Sequence, residues 1–285
     1  MNWLFFAVLS FIGYGVGDIF GTIATRKLGG FSTTLWTLIT GSLLFSLYIP
    51  FAWNELNYLT LTLFTQTLGL GILFIIALVA FYQALKIDSS SIVGTIASAF
   101  AAVSVILSLI FLKEHISSYQ TISILIIFFG VIMSSLELDR LKKGKLTLSK
   151  GIVLALIAMF LWGIYFTFIK IPVSKLGWFW PTYITYLSFP LVLFFLKLKK
   201  IRIRQPSKLD LKPIISSVIL TGGAEFSYNY AISDGSVALV APIAGSYPAL
   251  FVLLSFIIFR DPVTRQQMLG ILSTLLGIIL LAFSN

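Results

Sequence analysis

Two acids sit deep inside apolar stretches of this 285-residue chain, Asp18 and Glu225. An ionisable group within hydrocarbon is costly and is a functional hypothesis by default. An apolar setting disfavours the charged carboxylate, so such a group can trade a proton for a cation. Asp18 has Tyr14 and Thr22 four residues to either side, on the same helical face. Gly13, Gly15, Gly17 and Gly21 surround it. Glycines let a second helix or a ligand come close to the backbone, and they ease bending. The structural alternative is a hydrogen bond between helices, with the glycines serving packing alone.

Glu225 is followed by Tyr228 and Asn229 at i+3 and i+4, so one helical face carries a carboxylate, a phenol and an amide. Phe81, Tyr82 and Gln83 occupy the related place earlier in the chain, opposite Tyr228, Asn229 and Tyr230. Such clusters bind a ligand by hydrogen bonds and stacking, or they glue helices together. Tyr230 also suits an interfacial aromatic belt. Trp162, Gly163 and Tyr165 mark a further polar-aromatic site, and Lys170, just before Pro172, can snorkel to the interface. Pro242 and Pro248 flank Gly245-Ser246-Tyr247; a proline inside a helix frees a backbone carbonyl and bends the rod. Pro181 and Pro190, with Tyr183 and Tyr186, repeat that pattern more weakly.

The elements holding these residues are apolar runs of about 20 residues, the length that crosses the hydrocarbon core. They cover 3–24, 33–53, 62–85, 91–112, 119–136, 151–171, 178–196, 213–233, 236–259 and 266–283. The runs do not alternate as barrel strands do, so the expected fold is all-α and polytopic, with ten transmembrane helices. Hydrophobic residues make up 58% of the chain and charged residues only 11%, too few to coat a soluble globule. The formal charge of +10 belongs to loops beside a bilayer rather than to a nucleic-acid site. The absence of cysteine excludes disulfides and thiolate chemistry, and one histidine cannot build a His-based metal site. The first residues lack a basic n-region and a cleavage site, so the first span is expected to stay in the mature protein.

The chain repeats itself. Ala84–Met133 falls without a gap on Ala231–Leu280, with about fourteen identities in fifty positions, Gly130/Gly277 and Ile96-Ala97/Ile243-Ala244 among them. Ser89/Ser236 is another. Lys27-Leu28-Gly29 matches Lys175-Leu176-Gly177, and Gly13 is expected to match Gly163 after a small shift. The expected organisation is a first five-helix repeat over 1–136, a basic connection over 137–150 and a second repeat over 151–285. Five is odd, so the second half enters the membrane inverted, and a substrate site between the halves follows. Odd-numbered loops hold seventeen of the twenty Lys and Arg. The heaviest are Arg140–Lys150 and Lys197–Lys212, whose alternative role is holding anionic lipid headgroups. Positive-inside then puts both termini outside the plasma (inner) membrane.

Ten spans in two inverted halves resemble the EamA-like branch of the drug/metabolite transporter superfamily. Trp162-Gly163 is similar to that family's first-helix signature, with Ile12-Gly13 its partial counterpart in the first half. Pro248 and the run to Arg260-Asp261, and Phe111-Leu112-Lys113-Glu114, are similar to its proline-to-acidic ending; Ala101 stands where proline is common. Asp18, Gly21, Thr22, Arg26, Gly30, Phe31 and Ser32 resemble the first helix of small multidrug resistance transporters, with Asp in place of Glu. That resemblance implies Asp18 as a coupling carboxylate shared by proton and cation. Ten-span relatives usually keep both termini in the cytoplasm, opposite to the loop charge.

The combined expectation is a secondary transporter, not an enzyme, that exports small cationic or zwitterionic metabolites such as amines or amino acids in exchange for protons. Asp18 and Glu225 would couple the proton or cation. Tyr14, Thr22, Tyr82, Gln83, Trp162, Tyr165, Tyr228, Asn229, Ser246 and Tyr247 would bind substrate. Gly13, Gly15, Gly17, Pro242 and Pro248 would bend helices. No cofactor, metal or nucleic acid is expected; membrane lipids surround the chain. One chain holds both halves, so a monomer suffices, and a homodimer is compatible. The alternatives are a lipid or headgroup flippase, a facilitative uptake carrier, or a lipid enzyme. The last needs clustered acids or a histidine near the interface, and the sole histidine, His115, lies in a loop.

Overall fold

The computed structural model describes residues 2–88, 90–135, 149–259 and 264–284. Most of the basic connection (137–148), Ser89, and Arg260 with Asp261 lie outside the described residues. The described chain is helical, in ten rods. These are α1 (Asn2–Leu28), α2 (Gly30–Tyr58), α3 (Leu61–Ile87), α4 (Ser90–Ser98 and Phe100–Phe111) and α5 (Ser118–Ser135). After the connection come α6 (Lys150–Phe168 and Lys170–Leu176), α7 (Trp180–Leu187 and Phe189–Leu198), α8 (Lys208–Asp234), α9 (Val237–Gly245 and Tyr247–Phe259) and α10 (Arg265–Ala282). Among the described residues, eight are long and apolar enough to cross a bilayer; α5 is apolar but shorter, and α8 carries Glu225 between charged ends. Phe5, Leu43, Phe129, Phe160 and Leu276 stand exposed on the outside, where a lipid phase would solvate them.

Local chemistry sets the rod ends. Thr60, Ser149 and Ser236 accept from the first-turn N–H groups of α3, α6 and α9. Capping boxes open α8 (Ser207 with Asp210) and α10 (Thr264 with Gln267). The turns α1–α2 and α6–α7 each use one glycine at positive φ, Gly29 at 82° and Gly177 at 71°. These two lie 148 positions apart, so the same turn is built twice.

The two halves pack as a two-fold pair. α1 lies along α8 while α6 lies along α3; α9 crosses α1 while α4 crosses α6. α2 meets α7, α4 meets α9 and α5 meets α10. Exchanging each helix for its repeat mate maps every one of these contacts onto another of them or onto itself. The α5–α10 crossing is backbone against backbone: a Cβ on Gly130 would lie 2.7 Å from the Gly270 carbonyl oxygen, and one on Gly277 2.9 Å from the Ile127 nitrogen.

The structure corrects the expected register of the first helices. Gly15, not Gly13, is the mate of Gly163: Gly15 packs on Leu250 of α9 and Gly163 on Val103 of α4, and Leu250 and Val103 are themselves repeat mates. Tyr14-Gly15 through Gly29 therefore matches Trp162-Gly163 through Gly177 with no shift. The glycine-rich stretch offers several glycines within one turn, and identity alone could not choose among them. α1 also runs unbroken through Gly13, Gly15 and Gly17, which seat α8 and α9.

Candidate functional site

Three close approaches shape the centre of the molecule. A Cβ on Gly13 would lie 2.7 Å from the Leu220 carbonyl oxygen, and one on Gly17 3.0 Å from the Thr221 nitrogen. A Cβ on Gly21 would lie 3.1 and 3.2 Å from the Ser217 and Tyr82 hydroxyls. With α1 drawn onto α8 in this way, Asp18 and Glu225 come to line one cavity.

Around Asp18, the Tyr247 side chain comes in from α9. The Tyr82 side chain lies near Thr37 and Ser217. Around Glu225, the Tyr186 side chain is a near neighbour, with Thr221 beside it. The second Glu225 oxygen, the Tyr14 hydroxyl and the Trp162 indole N–H are buried without a hydrogen-bond partner. Buried polar atoms are normally satisfied, so three unpaired ones around a single cavity point to a polar ligand. The lining residues include two carboxylates and no Lys, Arg or His.

Of the residues singled out in the sequence, Tyr14, Asp18, Phe81, Tyr82, Trp162, Tyr186, Glu225 and Tyr247 line this cavity. The others do not. Tyr165 is packed behind the wall, 4.7 Å from the Phe74 ring, beside Thr182 and Thr185. The Tyr228 hydroxyl donates to the Phe166 carbonyl at 2.9 Å. Asn229 donates to the Trp178 carbonyl (3.0 Å) and Thr182 (2.8 Å), tying α8 to the start of α7. The Ser246 hydroxyl donates to the Ile243 carbonyl at the break in α9. Thr22 and Gln83 are partly buried and away from the lining. Tyr230 stacks on Phe6 at 4.0 Å. Thr37, Phe74, Phe100, Phe166 and Thr221 belong to the site without having been singled out. For Thr221 a signal existed, since it precedes Glu225 by one helical turn. The three phenylalanines are drawn from twenty-six, with nothing local to distinguish them.

Lys170 has a separate role. Its ammonium meets Glu114 at 2.8 Å and the Gly235 carbonyl at 2.9 Å. Glu114 also accepts from the Ser236 hydroxyl and from the Val237 and Ala238 N–H groups at the start of α9. Burial alone would push the Glu114 carboxyl up. Lys170 and the three donors of α9 outweigh it and hold the group below the usual carboxylate range. The residue ending the first repeat's fourth helix thus clamps a loop of the second.

The two-fold bundle has counterparts among known proteins. The profile of the EamA-like transporter family matches residues 1–136 and again 149–283. The chain belongs to the EamA-like transporter family. An uncharacterized protein of Methanocaldococcus jannaschii is 32% identical over 135 residues, which is 98% of that protein and 47% of this chain. One crystal structure superposes at a TM-score of 0.73 over 98% of this chain and 94% of its own, at 15% identity, which shows the fold alone. As an EamA-like protein the chain is an integral membrane protein of the transporter type, and the cavity between its repeats is where such a protein would hold a small molecule.

Proposed function

We propose that this EamA-like protein is a proton-coupled exporter of small organic cations, working by alternating access. The observation that carries the reading is the lining of the central cavity, with two carboxylates, several hydroxyls and no basic side chain. A carboxylate in such a place holds either a proton or a cation, and that competition couples the two. Asp18, beside Tyr247 of α9, is the coupling residue. Glu225 adds negative potential beside it. Tyr14, Tyr82, Trp162 and Tyr247 offer ring faces to a bound cation. The breaks at Ser246 and at its repeat mate Ala99 give the halves places to flex.

The test is flux in proteoliposomes. Wild-type protein should drive amine exchange along an imposed pH gradient. Asp18→Asn should purify as a monodisperse species with the wild-type melting profile yet lose at least tenfold of that flux. Unchanged gradient-driven flux in Asp18→Asn would refute the assignment.

A further inference from the structure

Four pairs of repeat mates in the cavity lining have diverged, whereas Tyr14 and its mate Trp162 both keep a polar atom. Asp18 lies 148 positions before Phe166, and Glu225 lies 147 after Leu78; all four line the cavity. Thr221 has Phe74 as its mate and Tyr247 has Phe100, again with all four in the lining. In every one of these pairs one member is polar and the other apolar. The polar members come from α1, α8 and α9, and the apolar ones from α6, α3 and α4. A two-fold fold has produced a two-faced site.

The apolar face is aromatic and ordered. Phe100 stacks on Phe166 with centroids 4.6 Å apart and planes at 27°. Trp162 stands 6.2 Å from Phe74 and 6.3 Å from Phe100. Tyr14 joins the faces, 6.2 Å from Phe166 and 5.9 Å from Tyr247. Rings arranged at such separations receive another ring or a branched alkyl group favourably. The opposite face holds both acids. A ligand carboxylate would meet no cationic partner there and would lie beside a like charge as soon as either acid gives up its proton, an arrangement that costs strongly in a low-dielectric site. A compact dication would satisfy the acids and leave the aromatic face against polar atoms.

We infer that the site takes a monoamine with an aromatic or branched apolar body and no carboxylate: its ammonium on the Asp18–Glu225 face, its body on the Phe74–Phe100–Phe166 face. This rests on the cation-transport reading and narrows it, removing amino acids from the substrate class. The test is calorimetric titration of the purified full chain with three probes: phenethylamine, phenylalanine and putrescine. Phenethylamine should bind at least tenfold more tightly than either of the others. Glu225→Gln should weaken it by a similar factor, and the melting rise that phenethylamine gives the wild type provides a readout independent of any variant. Tighter binding of phenylalanine or putrescine overturns the two-faced assignment while proton-coupled exchange in proteoliposomes stands. Binding of none of the three overturns it as well, and loss of all amine-driven exchange then removes the transport reading with it.

Discussion

At the scale of residues, shared helical face and shared function part company. Asn229 lies one turn beyond Glu225, and the spacing put both on one face, which is true of α8. The helix, however, has different neighbours at different heights. Glu225 meets the cavity, whereas Asn229 meets the start of α7 and is consumed by Trp178 and Thr182. Asn229→Ala should therefore lower stability by about 1–3 kcal/mol, read as a fall in melting temperature. Amine affinity should stay within twofold of wild type. Glu114 makes a second residue-scale prediction. Its carboxyl is held below the usual value of 4.5 in the folded protein, so it stabilises the fold above that pH and loses the contribution as pH falls through the depressed value. Between pH 6 and pH 3 the melting temperature of wild type should fall more steeply than that of Glu114→Gln. Parallel slopes would remove the clamp from the account. His115, the neighbour of Glu114, is exposed and takes no part in the clamp.

At the scale of elements, most of the ten rods were legible because a bilayer demands a length of apolar chain that little else explains. Their interruptions were legible only in part. Pro190 and Pro248 announced the breaks that the structure has at Ser188 and Ser246; α6 also breaks, at Ile169, where none was expected, while α9 stays helical through Pro242. α4 has no proline, with Ala101 at the place of Pro248, yet it breaks at Ala99, the repeat mate of Ser246. The reason is tertiary: Gly245 of α9 packs on Ala101, with the Ser98 carbonyl close by, so the two breaks meet and shape each other. Glycines divide in the same way. Gly130 and Gly69 look alike in the sequence, but a Cβ on Gly130 would run into α10 while one on Gly69 meets nothing within 4 Å. Gly130→Ala should cost about 1–3 kcal/mol, and Gly69→Ala should be neutral within about 0.5 kcal/mol. Thermal melts of the two variants in one detergent check this directly.

At the scale of the whole molecule, the duplication explains both the composition and the site. The formal charge of +10 resides in loops, and its uneven distribution predicts both termini outside. A cysteine introduced as Ser284→Cys should react with an impermeant thiol reagent in intact cells; reaction only after lysis reverses the orientation. Inside, the two-fold fold supplies a central cavity, and divergence between mates makes it acidic on one side and aromatic on the other. The acids were legible because charge within apolar sequence is rare. The aromatic face was not, since its phenylalanines resemble every other core residue until helix packing brings them together. The account as a whole rests on one exchange at one carboxylate, cation for proton at Asp18. The most direct measurement is proton release when phenethylamine is titrated into weakly buffered protein, followed with a pH indicator. Wild type should release up to one proton per amine bound near neutral pH, and Asp18→Asn should release markedly less. Saturable amine binding to wild type without proton release would contradict the account.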